Sequence, residues 1–270
     1  MMTNDQIFIL SDDFFCAPEN DRYTIDIRKI YDRYTLDYER MTVTASEDNK
    51  SLATVERVWS FLHEHHATRK SLLINIGGGT ICDIGGFAAA TYMRGIDYIN
   101  IPTTLLAMVD AAHGGKTGIN FCGIKNMIGA FRQPVQTIIE PAFLSTLSTR
   151  DFLSGYAELL KTLLLDPASQ RLTTNDKRLT TFSSALSFLE DYFEQNNILQ
   201  ITPHQSHITN LIDKAISIKQ HYVSSDPTEQ GLRKALNLGH TIGHALEELS
   251  NNQSQITNHK SHTAMPCSTA

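Results

Sequence analysis

The sequence predicts an α/β domain built on a parallel sheet, followed by an all-α domain. Three observations predict it. Strand and helix patterns alternate over residues 1–140. A triple glycine, Gly77-Gly78-Gly79, stands between a strand pattern and the next helix. Beyond residue 151 the periodicity is almost wholly helical. At 270 residues the chain has room for two domains of ordinary size.

The elements follow in order. Residues 7–10 (IFIL) read as a short buried strand. Residues 52–66 carry Leu52, Val55, Val58, Trp59 and Leu62 at helical spacing, an amphipathic helix. Residues 71–76 form a strand that runs into the triple glycine. Residues 81–92 read as a helix rich in alanine and glycine, suited to close packing. Residues 98–101 form another strand, closed by Pro102. The stretch 141–150 is the expected boundary. Helices are expected at 152–165, 186–193, 207–224 and 233–249, with a polar loop over 173–187.

Composition excludes several classes. Hydrophobic residues at 41% and charged residues at 19% describe a globular chain. A net charge of −6 argues against a general nucleic-acid binder. No apolar run approaches the ~20 residues that span a bilayer, so no membrane partner is expected. The opening MMTNDQIFILSDDF is acidic and polar, unlike a signal peptide. The four cysteines form no C-x-x-C pair, which points to reduced thiols and a cytoplasmic location.

Certain residues carry chemistry. Glycines 77, 78 and 79 let backbone N–H groups approach a pyrophosphate at a helix N-terminus. Lys116 and Lys125 lie in glycine-rich, otherwise apolar sequence (GGKTG and KNMIG), where an unpaired ammonium is costly. Arg233 and Asn237 lie four apart, on one face of the expected helix. His240 and His244 in GHTIGH share a helix face in the same way. With Glu158 of GYAELLK they give two imidazoles and a carboxylate, the donor types of a catalytic zinc site. Taken singly, a triple glycine is equally a tight turn, a lysine a solvated charge, and a His pair a polar helix surface.

Together the blocks IGGGTICDIGGFAAATYMRG, IPTTLLAMVDAAHGGKTGIN, KNMIGAF and LNLGHTIGHALEE resemble the 3-dehydroquinate synthases, over roughly half the chain. The resemblance implies a dehydroquinate synthase-like fold: an NAD-binding α/β domain over 1–140 and a helical metal- and substrate-binding domain over 151–270. It implies NAD and a divalent metal, zinc or cobalt. By resemblance, Gly77, Gly78, Gly79, Asp83, Thr103, Thr104, Glu47, Lys50 and Lys125 belong to the NAD site. Glu158 and His240 would ligate the metal. Lys116, Lys125, Asn126, Lys161, Lys219, Arg233 and Asn237 would contact a phosphorylated seven-carbon sugar acid. Arg94 would reach the phosphate from a neighbouring subunit of a homodimer. Lys116, His244 and Asp110 would be catalytic. The implied reaction converts 3-deoxy-arabino-heptulosonate 7-phosphate to 3-dehydroquinate and phosphate, with NAD reduced and then reoxidised in each turnover. Alternatives are a sister sugar-phosphate cyclase, a metal-dependent polyol dehydrogenase, and an inactive fragment of the same family.

One departure stands out. The family continues after LNLGHTIGH with a motif close to HGYAV or HGEAV, which would supply the third metal ligand. Residues 251–270 lack it. Codons chosen for residues 262–270, read two bases on, encode His-Gly-Tyr-Ala-Val-Leu-Tyr-Gly. The expectation is a frameshifted or truncated product, short at its N-terminus as well. His259 and His262 would stand in poorly for the missing ligand, and residues 151–270 would pack loosely.

Overall fold

The computed structural model describes residues 6–16, 38–167, 183, 185–187 and 205–239. Its centre is a five-stranded parallel sheet in the order β2-β1-β3-β4-β7. The strands are β1 (Ile7–Asp12), β2 (Tyr38–Val43), β3 (Leu72–Gly77), β4 (Asp97–Pro102) and β7 (Gln136–Thr137). The strands β1, β3 and β4 read as apolar runs because both of their faces are covered.

On one face, Phe8, Leu10, Leu73 and Tyr98 pack against two helices. Helix α1 (Leu52–Glu64) contributes Val55, Val58 and Leu62. Helix α2 (Gly79–Thr91) contributes Ile81, Ile84, Phe87, Ala88 and Ala89. On the other face, Ile7, Ile9, Ile74, Ile76, Ile99 and Ile101 share a core with α3 (Thr149–Leu164) and α4 (Gln205–Ser225). Those helices supply Phe152, Tyr156, Leu159, Ile208, Leu211 and Ile212. The second half of the chain is therefore the lid of the first half's sheet. Each such aliphatic side chain contributes about 1.5–3 kcal/mol by leaving water.

The helix starts are legible in the sequence. Ser51 caps α1 by accepting from Thr54 N, and Ser148 caps α3 by accepting from Asp151 N. Beside the sheet stands an antiparallel ribbon that the sequence reading passed over, β5 (Lys116–Phe121) and β6 (Ile124–Phe131). Its two-residue turn puts both Cys122 (φ 50°) and Gly123 (φ 77°) in the left-handed region, the geometry of a type I′ hairpin.

Two helical expectations change. The loop expected over 173–187 is helical at residues 183 and 185–187, where Ala185 is buried and its carbonyl accepts from the Tyr156 hydroxyl at 2.6 Å. The helix expected over 233–249 begins as a 3-10 segment, Leu232–Asn237. It stops at Leu238 (ψ 126°), followed by Gly239 at φ 82°. Residues 240–249 lie outside the described residues, as do 188–193. Among the described residues, no helix is long and apolar enough to cross a membrane.

Candidate active site

In the strand order 2-1-3-4 the chain runs from β1 to one side and returns to the other, so the switch point lies between β1 and β3. The triple glycine leaves the carboxyl end of β3 there, where open parallel sheets bind ligands. Helix α2 starts with Gly78 as N-cap and no side-chain cap. A Cβ on Gly78 would lie 3.1 Å from Thr104 Cγ2, and one on Gly79 would lie 3.1 Å from Ala111 Cβ. The loop thus nests against the segment after β4 only because it has no side chains. Thr103 is buried and donates its N–H to Gly77 O at 3.0 Å. Thr104 Oγ1 accepts from Ala107 N at 3.2 Å.

One turn into α2, Asp83 meets Lys50. The Lys50 Nζ lies 2.6 Å from Asp83 Oδ2 and donates to Asn126 Oδ1 at 2.5 Å. Burial raises the Asp83 carboxyl to about 6, against the pull of Lys50. Asn120, which the sequence reading missed, stitches this cluster together. Its Nδ2 donates to Glu47 Oε1 at 2.8 Å, its N–H donates to Lys50 O at 2.8 Å, and its Oδ1 accepts from Asn126 N at 2.9 Å. The available signal was period two along β5, which sets Lys116, Gly118 and Asn120 on one face. Lys125 lies on β6 and is exposed.

A second cluster joins the two halves. Ala107–Ala111 forms a π-helical turn, a form that recurs at functional sites, and it presents Asp110. Lys219 of α4, itself buried, pairs with the Asp110 carboxylate and donates to Asp110 O at 2.5 Å. His113, also missed, has a ring Nε2 2.9 Å from Met108 O. A carbonyl only accepts, so Nε2 carries the hydrogen. Burial, then the nearby Lys219, pushes His113 down to about 4, so it is neutral near pH 7.

Lys116, at the start of β5, pairs with Glu229. Arg233 Nε lies 3.8 Å from the same carboxylate, and Asn237 Nδ2 donates to it at 2.6 Å. Arg233 is 2% exposed; it donates to Pro227 O at 2.7 Å and to Gly114 O at 2.9 Å. Burial and the neighbouring Arg233 and Lys219 push the Lys116 ammonium down to about 8; the Asp110 carboxylate opposes that fall. Arg233 and Asn237 do not share an α-helical face as expected. The 3-10 winding turns them apart, and Glu229 from the preceding loop reaches both.

On α3, Lys161 Nζ lies 2.5 Å from Glu158 Oε1 and donates to Leu236 O at 2.6 Å. Among the described residues, no three His, Cys, Asp or Glu gather in a metal-holding group. His240 and His244 lie outside the described residues. Arg94 is exposed at φ 70°. His63 and His66 are exposed as well.

Two family models match in succession: 3-dehydroquinate synthase N-terminal over residues 40–154 and 3-dehydroquinate synthase C-terminal over 155–262. The 3-dehydroquinate synthase of Parabacteroides distasonis is 44% identical over 210 residues, which is 78% of this chain and 54% of that protein. The chain thus spans about half the length of such relatives. Among solved structures, 2-epi-5-epi-valiolone synthase from Streptomyces hygroscopicus, with NAD+ and Zn2+ bound, superposes with a TM-score of 0.73 at 27% identity. That match covers 87% of this chain and 60% of the other. A 2-deoxy-scyllo-inosose synthase complexed with carbaglucose-6-phosphate, NAD+ and Co2+ gives 0.72 at 26% identity, covering 91% and 61%. Motifs, sheet order and both halves of the match agree, and the chain belongs to the 3-dehydroquinate synthase family.

Proposed function

We propose that the chain carries the cyclase chemistry of its family, turning 3-deoxy-arabino-heptulosonate 7-phosphate into 3-dehydroquinate and phosphate in the shikimate pathway. The observation that carries this reading is the basic cluster of Lys116, Lys219, Arg233 and Lys161. Each is paired to a carboxylate, and they come from four elements: Lys116 from β5, Lys161 from α3, Lys219 from α4 and Arg233 from the 3-10 segment. Such a cluster fits a ligand with separate phosphate and carboxylate groups.

In this reading residues 1–140 bind NAD and residues 151–270 supply the metal and most substrate contacts. The uncapped, Cβ-free start of α2 suits a pyrophosphate, with Gly77, Gly78, Gly79, Thr103 and Thr104 around it. Lys50, paired to Asp83, and Glu47 hold the nucleoside end beside Lys125. Glu158 Oε1 is buried beside the Lys161 ammonium and, among the described residues, receives no other hydrogen bond, and that suits a metal ligand beside His240. When bound, NAD supplies reversible hydride transfer and a divalent metal supplies Lewis acidity. The chain's own residues bind and orient. Lys116, Arg233, Asn237 and the Lys125–Asn126 pair hold the anionic groups, and Lys219 and Lys161 add charge within the pocket. Asp110 receives a substrate hydroxyl, and His244 completes the catalytic set. Fixing a flexible sugar acid against the cofactor removes much of the orientational cost of reaction.

A homodimer, with Arg94 reaching a partner's site, and a cytoplasmic location belong to the same proposal. The exposed apolar residues of the ribbon, Phe121, Ile124, Met127 and Phe131, support the dimer.

The deciding experiment is turnover with the heptulosonate phosphate, NAD and zinc or cobalt. Phosphate release that needs NAD and accumulates no NADH is expected. Steady NADH accumulation from a polyol would replace this reading with a dehydrogenase. Preferential conversion of sedoheptulose 7-phosphate would replace it with a sister cyclase.

A further inference from the structure

Glu229 is held in an unusual way. Its backbone sits at φ 59°, a conformation that costs a non-glycine residue energy. A clamp enforces it: Asp226 accepts from Gln230 N at 2.9 Å, Gly231 N at 2.7 Å and Arg233 N at 3.1 Å, and Glu229 N donates to Asp226 O at 3.2 Å. The loop so built delivers one carboxylate to Lys116, Arg233 and Asn237 together. Oε2 is buried, and no group among the described residues gives it a well-formed hydrogen bond. Charge holds this oxygen, and charge is what an incoming anion can match.

We propose that Glu229 is a built-in counter-anion, occupying in the ligand-free protein the place among Lys116, Arg233 and Asn237 that an anionic group of the ligand takes, and withdrawing when that ligand binds. The inference takes from the proposed function only that an anion enters this pocket. A tethered carboxylate competes at high effective concentration. A single small anion therefore binds weakly. A ligand with a second anionic group gains contacts that Glu229 does not contest, so the device selects doubly anionic ligands. The strained backbone at residue 229 relaxes on release, which favours the exchange.

The test uses the whole chain and inorganic phosphate as probe. Calorimetric titration should show Glu229→Gln binding phosphate about tenfold more tightly than wild type, since a tenfold gain is about 1.4 kcal/mol. Removing a negative charge could tighten binding without any movement, so hydrogen exchange is measured as well. In wild type, saturating phosphate should speed exchange over residues 229–233; in the variant it should not. Unchanged wild-type exchange in bound protein overturns the proposal, and so does a variant that binds phosphate no more tightly. Should the variant fail to fold, the wild-type exchange result decides alone. Neither readout depends on turnover, so failure of the cyclase assay leaves this result standing.

Discussion

Lys50 and Lys116 invite comparison. Both are paired to a carboxylate, and both border the same β5–β6 ribbon. The Lys50 side chain is 8% exposed, and its partners Asp83 and Asn126 sit on α2 and on the ribbon strand β6, both within the first half of the chain. The Lys116 side chain is 48% exposed, and its partner Glu229 comes from a loop of the other half of the chain. The first cluster is closed by the fold itself. The second is closed by Glu229, the counter-anion proposed above. Under the proposed function, a cofactor that stays through many turnovers suits a permanent cradle, and a substrate that must enter and leave suits a replaceable one.

The strongest way to break the comparison is Lys50→Met. It strands a buried carboxylate, which costs about 3–5 kcal/mol. Chemical denaturation should show that loss as a lower midpoint with an unchanged slope. The pH dependence adds a check. Asp83 is raised to about 6, so the folded state keeps a proton that the unfolded state has released. Its stabilising contribution is complete below the ordinary carboxylate range and is lost as pH rises through about 6. Removing Lys50 lifts Asp83 further, so the variant's deficit should shrink in acid. A deficit independent of pH would show that Lys50 acts by packing.

A second strain on the same cluster is Gly85→Ala. A Cβ there would run into the Asn75 side chain of β3, which is fully buried and donates to Asn100 Oδ1 at 2.9 Å. Helix α2 would lift from the sheet and carry Asp83 with it. The expected cost is about 1–3 kcal/mol by thermal unfolding, with weaker NAD binding by calorimetry.

On the other side, sulfate binding should fall as pH rises through about 8, because Lys116 then loses its proton. Sulfate keeps its charge in this range, so the fall reports the protein. About a tenfold loss between neutral pH and one unit above the Lys116 value is expected. Lys116→Arg should flatten it, since a guanidinium stays protonated. The smallest effect sharpens the contrast. Lys116→Met should lower stability by under ~1 kcal/mol, because the half-exposed ammonium is screened by water and Glu229 keeps Arg233 and Asn237 as partners. A loss as large as that of Lys50→Met would erase the distinction.

The parallel sheet and its helices were readable because their signals are local. Apolar runs mark β3 and β4, the periodicity of Val55, Val58 and Leu62 marks α1, and serine caps mark helix starts. The ribbon was hidden because Gly118, Gly123 and Gly129 dilute its pattern, and its turn is Cys-Gly rather than Asn-Gly. Asp110 and Lys116 could be named from motif blocks, and Lys219 and Arg233 from the family resemblance. Glu229 and Asn120 were not singled out, since each matters through partners far away in sequence. Glu229 meets Lys116 across the two halves of the chain, and Asn120 reaches back to Glu47. Charge type is written in sequence, and charge pairing is written in the fold. The 3-10 winding at Leu232–Asn237 escaped for the same reason. The buried Arg233 and the Asp226 clamp set it against a local pattern that reads as α-helix.

The core shared between the sheet and α4 has a kinetic side. Ile7, Ile9, Ile74, Ile76, Ile99 and Ile101 reach their final partners on α4 only after the chain has been made as far as residue 225. Synthesis runs from the N-terminus at roughly 5–20 residues per second. The sheet therefore spends seconds outside the ribosome with one apolar face bare. Contacts this distant in sequence also close slowly. During that interval the bare aliphatic face is the kind of surface that aggregates or that chaperones cover.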